Sequence, residues 1–347
     1  MPNHRLSRSA LLVTMLLTAS ACASEQAPSP APSALAAAVE PAAAPTTTAA
    51  GSTVEAAPCD PAGGSATDLP GWPLMAEADP AFLPLVMSSL LTAGPNRFLY
   101  NVLDDSYSQI SAEDVASRVD FYALERDPQT PYARAGATYL PAGAGRGLYR
   151  AQVDFDCLGE WGAEVFVQAA NGTWDSERLR FGVYPAGPTP AIGAPAPRSD
   201  SPTATTAAEA ALISTDADPY LPAYEQTVAQ AVTSGQPALI FFATPAFCQT
   251  GFCGPTVELV KSVARDYVGR VVFVNVEPYQ LRATENGLQP ALSEEGQLQP
   301  VAAALEWGIP VEPYLFLVGA DGRIFAKFEG IVGEDELRAA IEDALSA

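Results

Sequence analysis

Histidine is all but missing: the one copy among 347 residues is His4. That residue lies in a stretch read below as removed on export, so the mature chain carries no imidazole. Ser-His-Asp and Cys-His catalysis, histidine-ligated zinc and a copper site built on cysteine plus histidine are thereby excluded. Lysine is nearly as scarce, with only Lys261 and Lys327, which leaves few candidates for Schiff-base chemistry. Positive charge is short overall, since 18 Lys and Arg stand against 40 Asp and Glu for a net charge of −22. Neutralising phosphates needs clustered Lys and Arg, so nucleic acid is not expected as a partner, and an anionic bilayer surface would repel the chain. The nucleophiles left with useful reactivity near neutral pH are the five cysteines, Cys22, Cys59, Cys157, Cys248 and Cys253.

The chain opens with "MPNHRLSRSALLVTMLLTASACAS". Arg5 and Arg8 precede an apolar run over residues 10 to 17 and a small-residue exit at Cys22. A charged start, a short apolar core and small residues describe a secretory signal, too short to span a bilayer. "ASAC" resembles the lipobox of bacterial lipoproteins, with Ala19 where Leu is usual. The resemblance implies cleavage before Cys22, lipidation of its sulfur and anchoring at the outer face of the cell membrane by several acyl chains. An ordinary cleaved signal with Cys22 incidental is the alternative. Residues 23 to 68 are rich in Ala, Pro, Thr and Ser and lack an apolar period, so they are expected to form a disordered tether. Residues 186 to 215 have the same composition and are expected to be a disordered linker.

Between these lies a segment, 69 to 185, of strand-like runs: "RFLYNVLD", "SRVDFYAL", "GLYRAQVDFD", "WGAEVFVQAA" and "ERLRFGVY". Their period-two alternation and the Gly-bearing turns between them predict antiparallel strands. The segment resembles immunoglobulin-like β-sandwich domains of bacterial surface proteins, with Trp161, Tyr149 and Phe155 as core. Cys59 and Cys157 are a candidate structural disulfide, since exported thiols tend to oxidise. Cys59 falls in the tether and Cys157 in a turn, which leaves their geometry open.

Residues 216 to 347 read as helix, strand, helix, strand, helix, hairpin, helix, with "PALIFFAT" and "RVVFVNVE" as buried strands and Asp321-Gly322 at the hairpin tip. "FCQTGFCGPT" sits between the first strand and the next helix, and "WGIPVEPYLFLV" leads into the hairpin. Order and motifs together resemble the thioredoxin fold family, an α/β architecture. The resemblance implies that Cys248 is the attacking thiol, Cys253 the resolving one and Pro313 a cis-proline that docks substrate. It also departs from the family: the two cysteines are separated by four residues instead of two, and Ile240 stands where the family places a buried acid. The fold class expected is therefore multidomain, an immunoglobulin-like all-β sandwich plus an α/β thioredoxin-like domain, joined by disordered linkers.

Independently of any family, a cysteine at a helix amino end meets unsatisfied N–H groups that favour thiolate, and a neighbouring cysteine resolves a mixed disulfide. Phe247 and Phe252 supply an apolar rim suited to a polypeptide. The residues alone leave two readings open. One is thiol–disulfide exchange on other exported polypeptides, which needs an unknown redox partner and no cofactor. The other is a non-enzymatic surface module in which Cys248 and Cys253 form a permanent staple. A two-thiolate copper(I) or zinc site would be under-ligated without histidine, so no metal is expected. The long segment "PYQLRATENGLQPALSEEGQLQP" is expected to rise beside the cysteines as a lid or partner surface, or as a loop without a binding role.

Overall fold

Nineteen short elements are described by the computed structural model, which covers residues 56–59, 69, 71–72, 80–143 and 145–347. Cys22, the signal and almost all of the tether lie outside the described residues. Residues 49–347 group as one compact unit.

The first half is a seven-stranded antiparallel sheet. Its strands are β1 (Leu83–Val86), β2 (Gly94–Leu103), β3 (Ser117–Ala123), β4 (Ala133–Gly143), β5 (Arg146–Phe155), β6 (Gly159–Gln168) and β7 (Trp174–Val183), in the spatial order β1-β2-β5-β4-β3-β6-β7. The ends nearly meet: Tyr184 N–H donates to Leu91 O and Ala93 N–H to Tyr184 O, both at 3.0 Å, joining the start of β2 to the exit of β7. The sheet curls because alternate residues must face one core. Along β5, Tyr149, Ala151, Val153 and Phe155 point in while Gln152 and Asp154 point out. Phe98, Phe121, Phe155 and Trp161 meet there largely edge to face. Each such ring buried contributes roughly 1.5–3 kcal/mol.

Cys59 and Cys157 are bonded, so the expected bridge is present. Cys59 N–H donates to Leu158 O and Leu158 N–H to Ala57 O, which ties the chain ahead of the sheet to its core. Trp161 Nε1 donates to Cys157 O beside them.

The second half centres on a four-stranded sheet in the order β13-β12-β8-β9. Here β8 (Ala238–Phe242) and β9 (Val272–Val276) run parallel, and β12 (Tyr314–Val318) is antiparallel to both β8 and β13 (Ile324–Glu329). β8 and β12 are buried along their whole length, as unbroken apolar runs require. On one face they meet Val257, Val260 and Val263 of α3 (Cys253–Asp266) and Leu337 and Ile341 of α5 (Glu334–Ser346). On the other they meet Val228 and Ala231 of α2 (Val228–Val232), Ala303 of α4 (Ala302–Glu306) and Trp307.

Two expectations are corrected. The chain is mostly β, and an α/β thioredoxin-like carboxyl-terminal domain is not supported. Among the described residues helices are few: α1 (Ala207–Ala210), α2 and α4 have five residues or fewer. Local chemistry shortens them. Thr227 and Gln230 form a capping box that starts α2 only at Val228, and Gly235, at φ 76°, follows its end. The long segment after β9 adds strand instead of helix, as the hairpin β10 (Leu281–Thr284) and β11 (Gly287–Pro290).

The expected disordered linker is also ordered. Gly193 N–H donates to Ile324 O and Ala196 N–H to Gly322 O, so the segment runs along the hairpin β12–β13. At Gly308, φ is 61° and a Cβ would overlap the carbonyl of Pro188, so a glycine is needed for that segment to lie down. Composition predicted disorder because prolines and alanines bury little area each. Tertiary pairing supplies the hydrogen bonds that composition does not reveal.

Candidate functional site

Cys248 and Cys253 are joined, with Cα atoms 5.9 Å apart, at the carboxyl end of β8. The second cysteine is the first residue of α3 and has 0% exposure, while Cys248 is half-buried. Cys253 N–H points at Cys248 Sγ from 3.1 Å, and the Thr250 hydroxyl lies 3.4 Å from the same sulfur. The helix amino end therefore does face this sulfur, as its sequence position predicted.

Pro313 is buried and follows a cis bond from Glu312. Its loop packs on the cysteine loop through Glu312. One carboxylate oxygen accepts from Gln249 N–H at 2.8 Å, the other accepts from the Tyr279 hydroxyl at 2.8 Å, and the backbone oxygen accepts from the Thr250 hydroxyl at 2.9 Å. Gln249 Nε2 closes the ring by donating to Tyr279 Oη at 2.9 Å. Burial and the neighbouring Glu312 hold the Tyr279 phenol far above its ordinary pKa, so it remains a donor at any physiological pH.

The two phenylalanines of the expected rim are placed differently. Phe247 is half-buried beside the loop. Phe252 instead packs on Leu99, Leu140, Ala142, Leu148 and Ile331, a cluster supplied mostly by β2, β4 and β5. The Arg146 guanidinium, at the start of β5, lies over Gly251, 3.2 Å from where a Cβ would sit. Phe252 is thus an anchor between the antiparallel sheet and the cysteine loop. Nearby, Arg97 forms a two-pronged pair with Glu336 at 2.7 and 3.0 Å, and Arg150 adds a third contact at 2.8 Å.

Ile240 lies on the face of β8 away from Cys253, in the cluster with Phe242 and Trp307. The acid that reaches the sulfurs is Glu312: one oxygen of its carboxylate and the two sulfurs lie within 4.8 Å of one another. Sequence reasoning missed it because Glu312 sits some sixty residues downstream. Its place directly before Pro313 was the available signal. A second buried acid, Glu277 at the end of β9, is pushed upward in pKa by burial, against the hydrogen bonds of Thr215 and Thr244. Lys261, buried on α3, is paired with Asp216 at 3.1 Å and Glu258 at 2.7 Å. These groups are satisfied by their own partners for the most part, although Glu277 Oε2 has none among the described residues.

Comparison with known proteins adds little. No protein-family model matches the chain, and no curated protein does. Solved structures are similar in part, among them the following three. The soluble domain of PmoD from Methylocystis sp. ATCC 49242 (Rockwell) is 15% identical over 27% of this chain and 75% of its own, at a TM-score of 0.18. The Lin-41 filamin domain is 12% identical over 32% of this chain and 100% of its own, at 0.20. A putative glycoside hydrolase from Bacteroides vulgatus ATCC 8482 is 10% identical over 74% of this chain and 39% of its own, at 0.22. At such scores none of them carries an argument about this protein. The functional reading rests on its own residues.

Proposed function

We propose that this protein is a non-enzymatic surface module in which Cys248–Cys253 is a structural staple. The observation that carries the reading is the cover over the pair. Cys253 is sealed, Phe252 is anchored in the cluster of Leu99, Leu140 and Leu148, and Arg146 lies across Gly251. A disulfide that exchanges must present a sulfur in line to an incoming thiolate. Here the polar atoms that a docking chain would use on the loop, Gln249 N–H and the Thr250 hydroxyl, are already engaged by Glu312. Thiol–disulfide exchange on other exported polypeptides is the lesser reading, favoured by the helix amino end aimed at half-buried Cys248.

The protein is exported and held at the outer face of the cell membrane by a lipidated Cys22, with the residues after it acting as a tether. Its partner is an exported polypeptide, bound without exchange of sulfur. An oxidising location suits two disulfides, both closed in this chain.

Graded reduction followed by thiol alkylation and peptide mapping tests the reading. A staple has a reduction potential below about −300 mV. A potential in the range of exchange catalysts, about −120 to −270 mV, together with a mixed disulfide trapped by Cys248→Ser or Cys253→Ser, would overturn it.

A further inference from the structure

Two thiolates without histidine make an under-ligated metal site, and on that ground the sequence predicts none. The fold adds what the sequence does not place: a buried carboxylate beside both sulfurs. We infer that the reduced loop is a zinc site, with Cys248 Sγ, Cys253 Sγ and one Glu312 oxygen as protein ligands and a water as the fourth.

Geometry supports this set. Zinc at about 2.3 Å from sulfur and about 2.0 Å from oxygen, in tetrahedral array, separates its donors by roughly 3.5–3.8 Å. The three donor atoms already lie within 4.8 Å of one another, and the cysteine Cα atoms are 5.9 Å apart. Opening the disulfide and a movement of about an ångström bring the donors to that spacing. Glu312 is held ready for it. Each of its oxygens accepts one hydrogen bond, from Gln249 N–H or from Tyr279, and keeps a lone pair free. Such outer partners orient a ligating carboxylate. Cys253 N–H aims at the Cys248 sulfur and so favours the thiolate that zinc requires.

The chemistry balances in two steps. A dithiol reductant gives two electrons and two protons to the S–S bond and leaves as its own disulfide, which frees two thiols. Zinc then displaces both thiol protons to solvent. Two thiolates, one carboxylate and the dication leave a net charge of −1. Half-buried Cys248 is the approach for a small dithiol; Cys253 is sealed, and the loop atoms on which a polypeptide would dock are already engaged by Glu312. The inference goes beyond the staple reading and is tested separately from it, because the reduction potential is measured on metal-free protein.

The experiment uses the full chain with Cys22→Ser, reduced anaerobically by a phosphine, with the opened pair assigned by alkylation and peptide mapping. Zinc binding is read by competition with a chromophoric chelator, and cobalt(II) substitution reads the ligands. One zinc per chain is expected after reduction, absent before it, with a thiolate charge-transfer band in the cobalt form. Glu312→Gln should weaken binding at least about tenfold, the lower end of what loss of even an outer-shell partner costs, while keeping that band. Equal zinc binding by oxidised and reduced protein would refute the site and assign the metal to the acidic surface. Undiminished binding by Cys248→Ser/Cys253→Ser, checked for folding by circular dichroism, would refute it as well, and so would full affinity in Glu312→Gln.

Discussion

Replacing Glu336 with Gln tests how the antiparallel sheet is held against the cysteine-bearing half. The carboxylate meets Arg97 through both of its oxygens and Arg150 through one, and the Glu336 and Arg97 side chains are each only 12% exposed. Breaking a buried pair by removing one partner typically costs about 3–5 kcal/mol, because the charge left behind is desolvated and unpaired. Two things reduce the loss here. Arg97 keeps the carbonyls of Glu329 and Ile331 at 2.9 and 2.7 Å, and Arg150 retains some contact with water. The expected cost is therefore about 3 kcal/mol, or a fall of roughly 6–12 °C in melting temperature at about 2–4 °C per kcal/mol.

The effect must also follow pH. Burial alone would raise the Glu336 pKa, but Arg97 and Arg150 outweigh it and hold the carboxyl below its ordinary range. Between the lowered folded value and the ordinary one the unfolded chain binds the extra proton, so stability rises with pH there. Glu336 thus stabilises above the ordinary carboxyl range, and that contribution is lost as pH falls through its folded value. Glu329 has the opposite slope, because burial raises its pKa despite Ser89, Arg97 and Lys327. Its contribution is present below the ordinary value and lost as pH rises through the folded one. Urea unfolding of wild type and Glu336→Gln from pH 3 to pH 8 should show the acid loss flattened in the variant. A double-mutant cycle with Arg97→Ala should give a coupling of about 1–3 kcal/mol. A loss under about 1 kcal/mol at pH 7, an unchanged acid limb or a coupling near zero would refute the reasoning.

The disulfides should differ in worth. Cys59–Cys157 joins residues 98 apart and Cys248–Cys253 residues 5 apart, so loop closure assigns them about 4.7 and about 2 kcal/mol; paired Ala variants compared by urea unfolding check the order, and equal losses would contradict it. Gly308→Ala should cost about 2 kcal/mol or more, since the new methyl meets Pro188 in a left-handed backbone. Limited proteolysis should then cut near residues 186–196, and a variant as resistant as wild type would show that the segment is held independently of that contact.

Much of the β architecture was legible because alternation was strong. The runs placed at residues 117 to 124 and 147 to 156 coincide with β3 and β5 nearly residue for residue. β4 was missed, and its residues explain why: at Ala133, Ala135 and Ala137 the inward positions carry only methyl groups, so no apolar period stands out. The opposite error occurred at 186 to 215, where proline and alanine suggested a free linker and backbone pairing to β13 keeps it down. At the candidate site the cysteines and Pro313 were readable as motifs. Glu312 and Tyr279 were not assigned a part, because nothing local in their sequence records what they face.

Composition and local pattern thus determined the chemistry available to this chain: a single imidazole, at His4, few amines, and cysteines as the reactive groups. They also set where strands alternate and where a helix begins on Cys253, since those depend on residues within a turn or a pleat of one another. The tertiary structure alone decided that Phe252 is an anchor and that Glu312 meets both sulfurs. It also decided that the antiparallel sheet closes over the loop. Those contacts join residues distant in the chain, and their free energy comes from burial that exists only once the separate elements have met.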